Sequence, residues 1–263
     1  MTQVLLYSGV VIVIWMLILW LISLYRSDVS IVDIGWGLGF VLVAWTSFIG
    51  GELQANRWLL PTLTSIWGLR LSIHLYLRNH GSAEDYRYAA MRESWGDSFA
   101  YVSLVIVFGL QGAVMWLVSL PIQVGLAAPP AHYSLVTWLG VLVWAIGLFF
   151  ETVGDWQLVR FRQQRHNTGK VLKTGLWRYT RHPNYFGDFM IWWGTFLVSM
   201  SELSNVWTIV SPAVMTFLLL RVSGVSLLEK KLASSKPEYA AYAAETNAFF
   251  PGPVRQRLRN IAD

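Results

Sequence analysis

The chain has 263 residues, 55% of them hydrophobic and only 13% charged, with fifteen Trp, thirteen Phe, eleven Tyr and no Cys. The charged share is about half the roughly 25% of ordinary soluble domains, and this composition excludes a disordered chain, a disulfide-stapled domain, a zinc-thiolate centre and a thiol nucleophile. With a formal net charge of +5, what remains is a protein embedded in a membrane.

Apolar stretches of about 20 residues, the length that crosses a hydrocarbon core as helix, recur at about 3–25, 30–50, 58–78, 99–123, 135–158, 185–201 and 206–224. They are continuously apolar, whereas barrel strands alternate over about 10 residues. The first has no basic flank before it and no small-residue cleavage site after it, so it reads as a retained span. The pattern predicts an all-α membrane protein: one integral domain over 1–263, a bundle of seven transmembrane helices with cytoplasmic loops and a short cytoplasmic tail. Seven crossings place seventeen of the 20 Lys and Arg on one side, with Arg57 opposite and Arg70 and Arg221 inside spans. The positive-inside rule then predicts a cytoplasmic carboxyl end and an amino end facing away, as in a bacterial inner membrane. Basic residues that adjoin spans and form no recognition module argue against nucleic acid. No inverted repeat or helix-breaking pair points to transport. No metal-ligand cluster stands out, and no obligate protein partner is indicated. Pro129-Pro130 marks a turn.

Polar residues within spans are costly unless they face a shared interior. Asp33, Arg70, His74, Gln111, Glu151, Asp155, Asp188 and Arg221 occupy such positions. Glu151 and Asp155 share a helical face with Arg162; Arg70, His74 and Arg78 form a second stripe, with Asn79 after it. Asp33 reads either as a functional acid or as a buried partner of Arg70. Further on, Gly175-Leu-Trp-Arg-Tyr-Thr-Arg-His-Pro-Asn-Tyr-Phe-Gly-Asp188 places Arg178, Arg181 and His182 just before a helix that Pro183 starts. The free backbone donors of its first turn suit a phosphate or carboxylate; lipid headgroups would suit the same cations.

The run Arg-His-Pro-Asn-Tyr-Phe-Gly-Asp188, the Trp192-Trp193 helix, Glu229, Glu238-Tyr-Ala-Ala-Tyr242 and Phe250-Pro251 resemble the steroid 5-alpha-reductase carboxy-terminal domain, with its signature region at about 135–253. Asp33-Ile-Gly-Trp36, Trp67-Gly-Leu-Arg70 and Glu84-Asp85-Tyr-Arg-Tyr88 are more similar to its bacterial DUF1295 branch. The elbow is also similar to that of isoprenylcysteine carboxyl and phospholipid methyltransferases, which use S-adenosylmethionine. The closer resemblance implies an NADPH-dependent oxidoreductase that passes hydride to the C=C bond of an enone lipid such as a 3-oxo-4-ene steroid, drawn from the surrounding lipids. Motif by motif it implies a cofactor site of Asn79, Asp155, Arg162, Tyr179, Asn184 and Asp188, the last an Asp where the family has Glu. Lys173, Arg178, Arg181 and His182 would meet phosphates beside Tyr185, and Glu229 falls near a cofactor-contacting histidine of mammalian relatives. Those relatives polarise the steroid carbonyl with a Glu–Tyr pair; here Asp33 is the nearest buried acid and Trp67 stands near the tyrosine position. A carboxylic acid with a raised pKa suits that task, which is assigned to Asp33, with Gln111 and His74 as alternatives.

Overall fold

The computed structural model describes residues 1–51, 58–128, 133–200, 203–222 and 236–254, together with Val225, Leu228, Glu229 and Leu232. Arg57, Pro129-Pro130, Lys230, Lys231, Arg255, Arg257 and Arg259, which entered the charge and turn arguments above, lie outside the described residues. Helices occupy the apolar stretches: α1 Thr2–Arg26, α2 Ile31–Gly50, α3 Leu59–Asn79, α4 Tyr86–Val118, α5 Leu120–Ala127, α6 Leu135–Gln163, α7 Pro183–Ser199, α8 Ser204–Val222 and the short α9 Tyr239–Glu245. Among the described residues there is no strand, only an isolated bridge between Thr180 and Asn247.

Among the described residues, five helices are long and apolar enough to cross a membrane: α1, α2, α4, α6 and α8. The other two expected crossings are helices of marginal character. The third stretch forms α3, which carries Arg70, His74 and Arg78. The sixth forms α7, which is only 17 residues long. The fourth begins earlier than its apolar run, because Asp85 caps α4 by accepting the Arg87 N–H. It ends at Val118, and Pro121 in the first turn of α5 fits a helix start rather than a continuation. Inside α4, residues Leu104–Gly109 are π-helical.

The chain packs as two compact units, Met1–Thr137 with Val198–Ser211, and Trp138–Leu197 with Pro212–Asp263. In the first, α2 is the central element, touching α1, α3, α4 and α5. It meets α3 at Gly37 and Gly68, where a Cβ on Gly37 would lie 2.2 Å from the Gly68 carbonyl oxygen. Ser72 Oγ accepts the Leu38 N–H beside this crossing (3.1 Å), and Phe40 packs on Trp67 at 5.6 Å. Trp67, expected near a substrate, is thus a core side chain, 2% exposed.

In the second unit α6 and α7 run antiparallel at backbone contact. A Cβ on Gly187 would stand 2.4 Å from the Glu151 nitrogen and 2.6 Å from the Gly147 oxygen, and one on Gly194 would stand 2.5 Å from the Trp144 nitrogen. Helices in a bilayer lack a hydrophobic drive to associate and rely on such close approach. Phe186, Phe249 and Val225 form a buried cluster beside this crossing.

Gly187→Val should therefore cost about 2 kcal/mol or more, because rigid backbone on the facing helix blocks the new side chain. Gly9→Ala, whose Cβ meets nothing nearer than 3.6 Å, should leave stability unchanged. Thermal unfolding followed by size-exclusion chromatography measures both; equal stability of the two variants would contradict the crossing.

Candidate functional site

Two polar clusters stand out, one in each unit. In the first unit, the turn before α2 and the residues leading into α4 are tied together. Glu84 accepts the Val29 N–H at 2.8 Å and two Arg92 bonds at 2.9 and 3.0 Å. Ser30 Oγ accepts the Asp85 N–H at 2.7 Å. Burial works to raise both carboxyl pKa values, but Arg92 and the Val29 N–H hold Glu84 below its ordinary range, and Arg87 does the same for Asp85.

This framework aims Arg87 and Tyr88 at Asp33. Arg87 Nε donates to Asp85 and its Nη2 to Asp33 Oδ2, both at 2.9 Å. The Tyr88 hydroxyl donates to Asp33 Oδ1 at 3.0 Å, and Gln111 Nε2 donates to that hydroxyl at 3.3 Å. Tyr88 is 5% exposed. Asp33 and Gln111, both singled out from the sequence, are thus joined through a tyrosine that sequence reasoning did not select. The cation that reaches Asp33 at 2.9 Å is Arg87, where one of the two sequence readings pairs this acid with Arg70. The signal for Tyr88 was present in the Glu84-Asp85-Tyr-Arg-Tyr88 motif, whose second tyrosine falls on the inward side of the first α4 turn. His74 is half-buried on α3.

The second cluster is the elbow of residues 175–184. Gly175 has φ +63°, and a Cβ there would strike Gln157 at 2.3 Å; Gln157 Oε1 instead accepts the Leu176 N–H at 3.0 Å. Trp177 donates to the Gly154 carbonyl at 3.1 Å. From the other side, residues 239–252 bind the elbow. Asn247 O accepts the Arg181 N–H, Thr180 Oγ1 donates to Phe249 O, the Gly252 N–H donates to Tyr179 O, and Tyr242 donates to Trp177 O.

Arg181 is the hub of this arrangement. Its Nε and Nη2 reach Glu229 Oε1 at 2.8 and 2.7 Å, and its Nη1 donates to Ala243 O and Thr246 O at 2.8 Å each. His182, 1% exposed, places Nε2 3.2 Å from the same Glu229 oxygen and stacks on Tyr185 at 5.6 Å. Arg181 and His182, expected around phosphates, and Glu229, expected near the cofactor, are bound to one another and to the fold. Glu229 is held below its ordinary 4.5 by the His182 hydrogen bond, against burial, and by Arg181. Burial, and then the Glu229 charge, push Tyr239 up to about 12.

The other predicted cofactor residues divide. Asn184 donates to the buried Asp155 at 3.1 Å and accepts the Tyr185 N–H at 3.1 Å; His182 O accepts the Phe186 N–H. The first turn of α7 therefore has fewer free donors than its sequence suggested. Asp188 is half-buried on α7. Arg162, Lys173, Arg178 and Tyr179 are exposed; Lys173 lies 3.3 Å from Glu238. Asn79 belongs to the first unit, at the end of α3, where it accepts from Arg78 at 3.1 Å.

Removing one partner of a buried ion pair leaves the other charge uncompensated. Arg181→Ala, at a side chain 12% exposed, should cost roughly 3 kcal/mol and release residues 239–252 to proteolysis. Because the folded Glu229 value is depressed, its contribution is full above 4.5 and is lost as pH falls through the lower folded value. Glu229→Gln should accordingly flatten the acid limb of a melting-temperature profile; an unaltered limb would place the acid sensitivity elsewhere.

No solved structure matches this chain. It is 25% identical over 271 residues to Uncharacterized protein C594.04c of Schizosaccharomyces pombe (strain 972 / ATCC 24843), an alignment spanning 89% of this chain and 76% of that relative. The family described as Protein of unknown function (DUF1295) matches residues 19–246, a span that contains the Asp33 cluster and the elbow of residues 175–184. The chain belongs to the DUF1295 family.

Proposed function

We propose that this protein is an NADPH-dependent membrane reductase that adds hydride to the C=C bond of an enone lipid, with 3-oxo-4-ene steroids as the substrate class. The observation that carries the proposal is the Asp33–Tyr88–Gln111 chain, a carboxylate, a phenol and an amide in hydrogen-bond sequence within the first helical unit. Hydride addition to the β carbon of an enone puts negative charge on the carbonyl oxygen, and donors fixed in advance at that oxygen lower the barrier. Gln111 keeps a second amide N–H for that oxygen, and the Tyr88 hydroxyl becomes a donor to it when it turns its single proton from Asp33 Oδ1 toward the substrate. Asp33, held through its other oxygen by Arg87, orients the phenol. A proton taken up at the α carbon completes the saturated ketone. An apolar groove between α1 and α4, lined by Ile12, Met16, Phe108, Gly112 and Trp116, supports a lipid-soluble substrate.

The second unit supports dinucleotide binding. Arg178 is exposed and makes no ion pair among the described residues, Lys173 is exposed two residues before the elbow, and Arg162 is exposed at the end of α6. This is positive charge suited to a pyrophosphate and a 2′-phosphate. The Asp155–Asn184 pair supplies an acceptor and an amide for ribose or carboxamide groups. Arg181, His182 and Glu229 act in this scheme by holding the elbow. NADPH, when bound, supplies the hydride. The proposal includes α3 and α7 as the remaining two of seven crossings, with the amino end outside and the basic loops in the cytoplasm.

Isothermal titration of detergent-purified protein with NADPH and with S-adenosylmethionine tests the assignment. Saturable binding of NADPH alone is expected; saturable binding of the methyl donor alone would convert the protein into a methyltransferase candidate and end the reductase proposal. Tyr88→Phe should slow enone reduction roughly 100-fold, followed by absorbance loss at the nicotinamide band, with NADPH affinity unchanged. Wild-type turnover in that variant would remove Tyr88 from the chemistry.

A further inference from the structure

α6 presents two opposite faces along its whole length. Gly140, Trp144, Gly147, Glu151 and Gly154 are turned toward α7. The opposite stripe is exposed: Trp138 at 55%, Leu142 at 57%, Phe149 at 54% and Trp156 at 55%, followed by Arg160. Trp138 and Trp156 are eighteen residues apart, about five turns, so they share one face and stand about 27 Å apart along the axis. That separation is close to the roughly 30 Å hydrocarbon thickness of a bilayer, and indole rings favour the two membrane–water boundaries. The exposed stripe between them is apolar. Its two tryptophans therefore set the depth of the helix, and Arg160, one turn beyond Trp156, comes to the level of the lipid phosphates.

The Arg160 guanidinium lies over the Trp156 ring, 5.4 Å from its centroid. Among the described residues it has no carboxylate partner and no hydrogen-bond acceptor. Stacking orients the guanidinium plane and removes part of its rotamer freedom, while its N–H edge stays available; a guanidinium edge matches a phosphate in bidentate fashion. Its charge is uncompensated and complementary to an anionic headgroup.

We propose that the Trp156–Arg160 pair is a binding site for the phosphate of an anionic phospholipid, on the face of α6 opposite its α7 contact. Trp156 packs on the acyl-glycerol region and Arg160 takes the headgroup. The site is separate from the elbow and does not rest on the reductase assignment.

Native mass spectrometry of delipidated full-length protein, titrated with phosphatidylglycerol and with phosphatidylcholine, tests it. The first phosphatidylglycerol should bind the wild type more tightly than phosphatidylcholine does. Arg160→Ala should weaken that step about fivefold, the effect of one interfacial cation, and leave phosphatidylcholine binding unchanged. Trp156→Ala should weaken it as well, and Arg160→Lys should fall between, since it keeps the charge and loses the planar stack. Arg165→Ala removes a neighbouring exposed cation beyond the helix end and should have no effect. Unchanged phosphatidylglycerol affinity in Arg160→Ala would overturn the proposal. So would an equal loss in Arg165→Ala, which would mean diffuse charge attraction, or an equal loss toward phosphatidylcholine, which would mean general damage. Displacement of the lipid by millimolar inorganic phosphate would assign the site to a free ion and overturn it too.

Discussion

Backbone-to-backbone contact between helices is the constraint on which both units rest. Lipid tails are as apolar as the side chains they would replace, so burying another leucine does little to join two helices. Contact at the distances seen for Gly37 with Gly68, and for Gly147 with Gly187, gains dispersion over a long seam instead. It also fixes rotation and height, because a glycine carbonyl admits a neighbouring backbone at one register only. Glu151 and Asp155 acquire their positions from the α6–α7 seam, as Asp33 acquires its position on α2 from the α2–α3 seam.

Once the seams are set, polar groups can be held where water is scarce only if their partners are supplied in advance. The first unit does this with a layered arrangement. Asp85 caps α4 and grips Arg87, Arg87 occupies one oxygen of Asp33, and the other oxygen is left for Tyr88. The second unit uses one guanidinium to close several gaps together, since Arg181 satisfies a carboxylate and two carbonyl oxygens. The two clusters differ in what they leave over. The first retains a phenol whose oxygen can still meet a ligand, whereas the donors of Arg181 point back into the protein.

Much of the helical layout was legible in the sequence, because a long apolar run in a chain with few charges has few alternatives. The edges of α1, α2 and α3 fall within a residue or two of the apolar stretches. Asp33 and Gln111 were legible for a related reason: a polar group in such a run is costly enough to demand a partner. The identity of that partner was not. Arg87 and Tyr88 lie in a polar segment where neither is unusual, and they reach Asp33 across 54 and 55 residues, a separation that only tertiary packing closes. The role of Arg181 was obscured in the same way. A basic residue before a helix suggests an anion, and the acid that claims it is 48 residues further on. Arg178, in contrast to Arg181, remains exposed.

The stitching of residues 239–252 onto the elbow has a consequence for biosynthesis. Thr246, whose carbonyl Arg181 holds, is translated 65 residues after it. The nascent chain therefore completes α7 and α8 while the turn before α7 still lacks its counterpart. Until that counterpart emerges, Arg181 lacks the carbonyl oxygens of Ala243 and Thr246. Maturation of this region is thus a late event, and translation stalled before it would yield a polypeptide with an unfinished elbow.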